Sequence, residues 1–500
     1  MMVSFNNITR LFVGWLFLVL SGCNSENQNQ KPNLIFILVD DLGKEWIPSY
    51  GATEIETPNI DKLAANGIKF NKAYSMPQCT PSRIALMTGQ YPYTSGWVNH
   101  YDVPRWGHGA NFDAQKNPGF AKVLREAGYK TCVAGKWQVN DFRIEPDAMT
   151  KAGFDEYCMW TGYESNNPPS EKRYWDPYIH TKKGSKTYTG QFGPDVFSDF
   201  IIDFLRENKA NPMCVYYPMV LTHTPFVHTP LEPNAKTFYE KHLAMVRYTD
   251  FIIGKIVDAL EELQISDNTY LIFTTDNGTT NKIIGKRDSV YVRGGKAFLT
   301  ENGVNAPLIA VTPKKLKKES NALVDFTDFY PTLLDLANIE NNSGFITDGV
   351  SFADVLTDRT YEGSRNWALA MGGLPAVITE DSLVQNRFEF RDRVIRTPKY
   401  KAYVDTVKQV VRLFDMEKDP YETTNLIDQE ELESVVGQFN EILKDIPSVD
   451  NNPTYRRLES NGSDVSIEML QNGAKRTRKR GNMLPLSNHE AFKKMKENRK

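Results

Sequence analysis

The chain has 500 residues, 40% hydrophobic and 24% charged. This is the balance of a globular protein with a sizeable core, and the length predicts one large domain with a smaller one beside it. A net charge of −3 excludes a global electrostatic case for binding nucleic acid or a membrane surface, so any such case has to be local.

The N-terminus is one local feature. Arg10 precedes the apolar run LFVGWLFLVL (11–20), and Leu20-Ser21-Gly22-Cys23 follows, which resembles a bacterial lipoprotein signal. The run is too short to span a bilayer comfortably. Residues 1–22 are therefore expected to be a signal peptide, Cys23 the lipidated new N-terminus and 23–31 a flexible tether. An exported protein, lipid-anchored to a bacterial membrane, follows from that reading. An ordinary cleaved signal is the alternative, and the rest of the chain is expected to be soluble.

In chain order, NLIFILVD (33–40) has buried-strand character, and TPNIDKLAANG (57–67) predicts a helix capped by Thr57 with Pro58 in its first turn. QCTPSR (78–83) reads as a tight Pro-containing turn. NPGFAKVLREAGYKTCVAG (117–135) gives a helix, a glycine stop and a strand, and PDVFSDFIIDFLREN (194–208) leads to the strand MCVYYPMVLTH (213–223). The long amphipathic FYEKHLAMVRYTDFIIGKIVDALEEL (238–263) leads to TYLIFTTDNG (269–278), and APLIAVTP (306–313) precedes the helix VDFTDFYPTLLDLAN (324–338). Such alternation predicts an α/β fold with a mostly parallel sheet between helices, and functional residues just beyond the C-terminal ends of its strands.

Polar residues fall at those ends. Asp40 and Asp41 close the first strand, His223 follows another, and Asp276 and Asn277 close a third. Each pair alone reads as a turn. Together at one buried sheet edge they predict a cation, because unpaired carboxylates repel and resist desolvation, and an all-oxygen set suits Ca²⁺ or Mg²⁺ better than structural zinc. Of the five cysteines, Cys23 is taken by the lipid reading; Cys79, Cys132, Cys158 and Cys214 remain. Two disulfides are one reading in an oxidising compartment, but Cys132 and Cys214 sit in apolar runs as small buried hydrophobes. Cys79, among polar, proline and arginine neighbours, reads as chemically specified.

CTPSRIALMTG (79–89) resembles the sulfatase signature, and GYKTCVAGKW (128–137) resembles that family's second signature. PNLIFILVDD (32–41), THTPF (222–226), TTDNG (274–278), GGKAFLTENGVNAPLI (294–309), FTDFYPTLLDL (326–336) and LFDMEKDPYETTNL (413–426) agree in the family's order. The resemblance is to formylglycine-dependent sulfatases of the alkaline phosphatase-like superfamily. It covers roughly residues 32–430 and implies a large catalytic domain over 32–365 and a smaller C-terminal α+β domain with an antiparallel sheet over 366–450; the composition beyond reads as a polar, basic tail over 451–500. The resemblance further implies that a separate maturation enzyme oxidises Cys79 to formylglycine, whose hydrate takes the sulfuryl group on one oxygen and expels sulfate through the other. Asp40, Asp41, Asp276, Asn277 and residue 79 itself would hold a divalent cation, Ca²⁺ ahead of Mg²⁺. Arg83, Lys136 and Lys296 would steady formylglycine and sulfate oxygens, and His223 would protonate the leaving alkoxide.

One position departs from the pattern. Gln138 stands where the family has a second histidine, the residue assigned to deprotonating the sulfated diol, and an amide takes no proton at neutral pH. Three readings follow: His100 or His108 serves as the base, elimination is slow, or turnover is lost; the intact matches elsewhere favour an active enzyme. The segment 171–190 combines Tyr174, Trp175 and Tyr178 with Lys172, Arg173, Lys182, Lys183 and Lys186, and with Trp97, Tyr101 and Trp106 it suggests a surface for sugar rings and polyanions. The expected substrate is a sulfated carbohydrate, an oligosaccharide from a sulfated polysaccharide. A phosphonate or phosphodiester hydrolase and a non-catalytic glycan-binding lipoprotein are the alternatives. Residues 473–500 carry ten Lys and Arg against two Glu, a polyanion or membrane contact or a solubilising tail, with no nucleic-acid role expected in an exported protein.

Overall fold

The computed structural model describes residues 31–98, 110–140, 142, 145–160, 172–340, 344–373, 377–378, 384–386, 388–452, 456–457 and 489–497. The expected signal peptide, Cys23 and the tether up to residue 30 lie outside these, as do His100, Tyr101, Trp106 and His108. No helix among the described residues is long and apolar enough to cross a membrane.

Pro32–Lys500 forms one unit built around a ten-stranded sheet. Strand β1 (Asn33–Val39) lies in its interior because the run is apolar on both faces. Leu34, Phe36 and Leu38 enter the hydrophobic cluster on one side, and Ile35, Ile37 and Val39 the cluster on the other. The other strands are β2 (Ile68–Tyr74), β3 (Lys130–Lys136), β4 (Glu156–Trp160), β5 (Tyr178–Thr181), β6 (Gly184–Thr187), β7 (Met213–Pro218), β8 (Thr269–Thr275), β9 (Asn305–Val311) and β10 (Lys318–Asp325). Their spatial order is β10-β2-β9-β8-β1-β7-β3-β4-β5-β6. The central five, β8-β1-β7-β3-β4, are all parallel. Strand β9 runs antiparallel to both neighbours, and β5 and β6 close the far edge as a hairpin.

Helices pack on this sheet largely where the periodicity places them, with three local differences. Helix α1 (Pro58–Asn66) begins after Thr57, but the Thr57 hydroxyl does not cap it; the Asp250 carboxylate accepts from the Asn59 and Ile60 amides instead, at 3.2 and 2.8 Å. The expected turn at QCTPSR is the start of helix α2 (Cys79–Thr88). Pro81 is tolerated there because a first-turn residue has no intrahelical partner for its missing N–H, and Gly89 at φ 70° ends the helix. VDFTDFYPTLLDLAN does not form one helix: Val324 and Asp325 finish β10, and the helix begins only at Phe329. Cys79, Cys132, Cys158 and Cys214 are all buried free thiols.

The chain then builds a four-stranded antiparallel sheet from β11 (Ala368–Met371), β12 (Arg393–Arg396), β13 (Tyr400–Val404) and β14 (Val410–Asp415), followed by a helix, Glu433–Asp445. Its core is shared with the main body: Leu369, Val394, Leu413 and Phe439 join Tyr74, Met76, Tyr91 and Val304 in one cluster. Of the tail beyond 452, residues 456–457 and the helix His489–Glu497 are described; Phe492 of that helix is buried, and Lys496 reaches Glu54.

A buried ionic group also ties the two sheets together. Lys401 on β13 sits 2.8 Å from Glu422 and 3.2 Å from Glu301, which accepts from Tyr74 and Asn305. Burial raises the Glu301 carboxyl, but Lys401, Arg396 and the Tyr74 hydroxyl outweigh it and bring it down to about 2. Its folded value is thus below the ordinary 4.5, so its stabilisation is present above about pH 4.5 and is lost as pH falls toward 2. Lys401→Met should cost about 3–5 kcal/mol in urea unfolding at pH 7, as for other orphaned buried charges. The deficit should shrink as pH falls from 4.5 toward 2, and a deficit that grows on acidification would contradict this account.

Candidate active site

The C-terminal ends of four parallel strands deliver the polar groups to one place. Asp40 and Asp41 follow β1, Lys136 ends β3, His223 follows β7, and Asp276 and Asn277 follow β8. Helix α2 points its N-terminus at the same place and brings Cys79 and, one turn on, Arg83. Lys296 comes from the loop before β9. Two backbone features aim these groups. Gly135, at φ 117°, lets β3 approach so closely that a Cβ there would lie 2.1 Å from the Pro218 carbonyl oxygen. Asp41, Gln138 and Ala297 adopt the left-handed region at φ 62°, 72° and 72°, an unfavourable conformation for a non-glycine residue.

Three cations hold three carboxylates. Arg83 donates to Asp276 Oδ2 from Nε at 3.1 Å and from Nη2 at 2.6 Å, Lys136 donates to Asp40 Oδ2 at 2.7 Å, and Lys296 donates to Asp41 Oδ2 at 2.7 Å. Asn277 donates to Asp41 Oδ1 at 2.8 Å, which leaves its carbonyl oxygen turned inward. Cys79 Sγ, Asp40 and Asp276 present ligand atoms within 4.8 Å of one another, and so do Asp40, Asp41 and His223. The residues selected from the sequence for catalysis and metal binding, Asp40, Asp41, Cys79, Arg83, Lys136, His223, Asp276, Asn277 and Lys296, therefore meet at this edge.

The electrostatics follow from burial. Burial raises the Asp40 carboxyl, but Lys136, His223, Arg83 and Lys296 together outweigh it and hold it below the usual carboxylate range. Burial and the Asp40 charge push Asp276 up to about 7 despite Arg83. Burial, then the Lys296 charge, lowers the His223 imidazole well below its ordinary value. Two buried oxygens, Asp40 Oδ1 and Asn277 Oδ1, have no hydrogen-bond partner. Orphaned oxygens beside three carboxylates are what a hard divalent cation would satisfy, so the donor set fits one.

Gln138 Oε1 lies 3.4 Å from Cys79 Sγ, so the departing position faces the residue it would act on. The proposed sugar surface does not hold together as one patch. Trp97 is in the core, and Lys182 pairs with Glu156 at the start of β4, the sheet end opposite the site. Tyr174 is buried and donates to the carbonyls of Val220 and His223 at 2.8 and 2.5 Å. Trp175 donates to the His228 carbonyl. Sequence reasoning placed Arg173 in that patch and missed its true position, with Nη1 3.3 Å from His223 Nδ1. Its adjacency to Tyr174 gave no sign that the pair supports the histidine.

A family model for sulfatases matches residues 32–339, and a model for the C-terminal part of N-sulphoglucosamine sulphohydrolase matches residues 294–448. The chain belongs to the sulfatase family, and the enzyme class it defines is that of sulfuric ester hydrolases. N-acetylgalactosamine-6-sulfatase of Canis lupus familiaris is 30% identical over 404 residues, spanning 72% of this chain and 74% of that protein. The ulvan-active sulfatase of Formosa agariphila is 26% identical over 440 residues, spanning 83% and 81%. The crystal structure of Ps i-CgsB superposes with a TM-score of 0.70 at 26% identity, covering 91% of this chain and 100% of that one.

The cation fit is testable without turnover. Calcium added to chelator-stripped protein should raise its thermal midpoint, by a gain of about 2.7 kcal/mol at a hundred times the dissociation constant. Asp40→Asn and Asn277→Ala should each shrink the gain. A shift insensitive to both would place the ion elsewhere.

Proposed function

We propose that this protein is a formylglycine sulfatase acting on a sulfate ester of an oligosaccharide. The observation that carries the reading is the position of Cys79, at the head of α2 among the ligand atoms of Asp40 and Asp276, with Arg83 on the same helix. Sulfur is a poor ligand for the hard cation that this oxygen set suits. An oxygen at residue 79, made by oxidising Cys79 to formylglycine with a dedicated maturation enzyme and hydrating the aldehyde, completes the set. The hydrate supplies a nucleophilic oxygen and, in its second hydroxyl, an exit for sulfate that a serine or thiol lacks.

Asp40, Asp41, Asp276 and Asn277 would hold the cation, read as Ca²⁺ ahead of Mg²⁺ because its coordination is larger and less rigid; when bound, it neutralises sulfate charge and acidifies a hydroxyl at residue 79. Arg83 and Lys136 orient oxygens on the buried side. Lys296 and His223 line the accessible side, with side chains 18% and 23% exposed against 2% or less for Arg83 and Lys136. The substrate enters past these two, Lys296 meeting a sulfate oxygen; the negative charge of the bound sulfate offsets the Lys296 charge that lowers His223, so the ring takes up a second proton at Nε2 and delivers it to the departing sugar oxygen. The Thr224 carbonyl, 2.6 Å from His223 Nδ1, accepts that nitrogen's proton and orients the ring.

The glycan reading draws on the relatives. The Canis lupus familiaris and Formosa agariphila proteins are named for N-acetylgalactosamine 6-sulfate and ulvan, and a further solved structure at 25% identity is a complex with k-i-k-neocarrahexaose. Export and lipid anchoring at Cys23 accord with a large external polymer. Cys23→Ala should move the protein from the membrane fraction to the soluble fraction of its cell; unchanged membrane association would refute the anchor.

Peptide mass spectrometry of protein matured in the presence of a formylglycine-generating enzyme should find the aldehyde at residue 79. Full sulfatase activity with an intact thiol there would refute the nucleophile. Cys79→Ser should abolish turnover while leaving the thermal midpoint near that of the parent. Gln138→His should raise kcat at least about tenfold by restoring a base beside residue 79; no rise would mean that elimination does not limit this enzyme.

A further inference from the structure

Four basic side chains surround the site, and three are paired with carboxylates at 2.6–2.7 Å: Arg83 with Asp276, Lys136 with Asp40, Lys296 with Asp41. Arg173 is the exception. It is only 4% exposed, and among the described residues it has no carboxylate partner. Its guanidinium stacks 3.9 Å from the centroid of Trp160, its Nη1 reaches His223 Nδ1 at 3.3 Å, and its Nε is buried with no hydrogen-bond partner. Arginine cannot shed its charge to escape this desolvation, and stacking on an indole offsets only part of the cost. The Nδ1 contact offsets little more, because the short approach to the Thr224 carbonyl already gives that nitrogen a proton to donate.

A buried, unneutralised guanidinium beside the leaving-group histidine is an anion receptor awaiting its anion. The scissile sulfate already has Arg83, Lys136, Lys296 and the cation site on the far side of His223. His223 Nε2 faces the Asp41 carboxylate at 3.7 Å and meets the leaving oxygen there, and Arg173 stands at the Nδ1 edge, across one imidazole ring from that oxygen. We propose that Arg173 recognises a second anionic group, a carboxylate or another sulfate, on the sugar that bears the scissile ester or on the sugar next to it. This rests on the sulfatase reading above and names the substrate class within it: glycans with a second negative charge close to the ester. The planar fork of arginine suits either oxyanion through paired N–H donors, and Trp160 holds the plane in place.

The test is a ratio of affinities, measured by calorimetry in calcium with the Cys79→Ser variant so that no probe is consumed. The probes are a neutral monosulfated monosaccharide, the same sugar with a second sulfate, and a monosulfated disaccharide carrying a hexuronate. At least one doubly anionic probe should bind about tenfold or more tightly than the neutral one, and which of the two does so identifies the oxyanion. Adding Arg173→Gln or Arg173→Met should remove that preference, and Arg173→Lys should keep part of it. Damage to His223 or to local packing would weaken all three probes alike and leave the ratio standing. A ratio untouched by the substitutions, no preference in the parent, or binding of none of the probes would each overturn the proposal. The sulfatase reading fails separately, by aldehyde-bearing protein that releases sulfate from none of the same probes.

Discussion

The structure depends on one electrostatic constraint: three carboxylates must stay close together at a dry sheet edge. Asp40, Asp41 and Asp276 are buried, and unscreened repulsion among them would open the site or force protonation. Arg83, Lys136 and Lys296 answer this one to one. Each cation arrives from a different part of the chain, so the fold has to bring α2, the end of β3 and the loop before β9 to the ends of β1 and β8. Parallel strands serve that need, because they bring their C-terminal ends to one edge. The remaining orphaned oxygens, Asp40 Oδ1 and Asn277 Oδ1, mark where the protein's own cations stop and a bound one would begin.

That arrangement lets the same basic groups serve twice. A cation held by Asp40, Asp41, Asp276 and Asn277 would take over part of the charge that Lys136 and Lys296 now neutralise, and their ammonium groups would then be available to sulfate oxygens under the proposed function. Arg83 is held more firmly, by two donors to one Asp276 oxygen and a third to the Lys136 carbonyl. Its role is accordingly the more structural of the three. The small antiparallel sheet supports this from outside the edge: Lys401 holds Glu301, which begins the short helix Glu301–Val304 five residues after Lys296. The loop that carries Lys296 is thereby anchored at a buried ion pair.

Much of this was legible in the sequence because the signals were local. NLIFILVD had to be a doubly buried strand, and acidic residues at the ends of such strands had few bland explanations as a group. The cysteine motif and the order of the other motifs selected residues that the fold does bring to one edge. What was not legible was tertiary. Nothing in TPNIDKLAANG says that Asp250, almost two hundred residues away, would take the capping role from Thr57. Nothing in RYWDP says that Arg173 and Tyr174 would turn inward behind His223 while Lys182 and Lys183 went to the opposite end of a hairpin. Composition sees aromatic and basic residues together, but the alternation of a strand and the turn that ends it decide which of them share a surface.

Gln138 joins these two levels. Its backbone at φ 72° is in a region where histidine, asparagine and aspartate are several-fold enriched, so the conformation would suit a histidine at this position better than it suits glutamine. A glutamine in that conformation bears on the order of 1 kcal/mol or more of backbone strain, and its side-chain oxygen lies 3.4 Å from Cys79 Sγ. The loop aims this polar group at residue 79. An amide so aimed can accept a hydrogen bond from a hydroxyl and fix its direction, but cannot carry its proton away. The substitution thus separates orientation from proton removal, two tasks that a histidine would perform together.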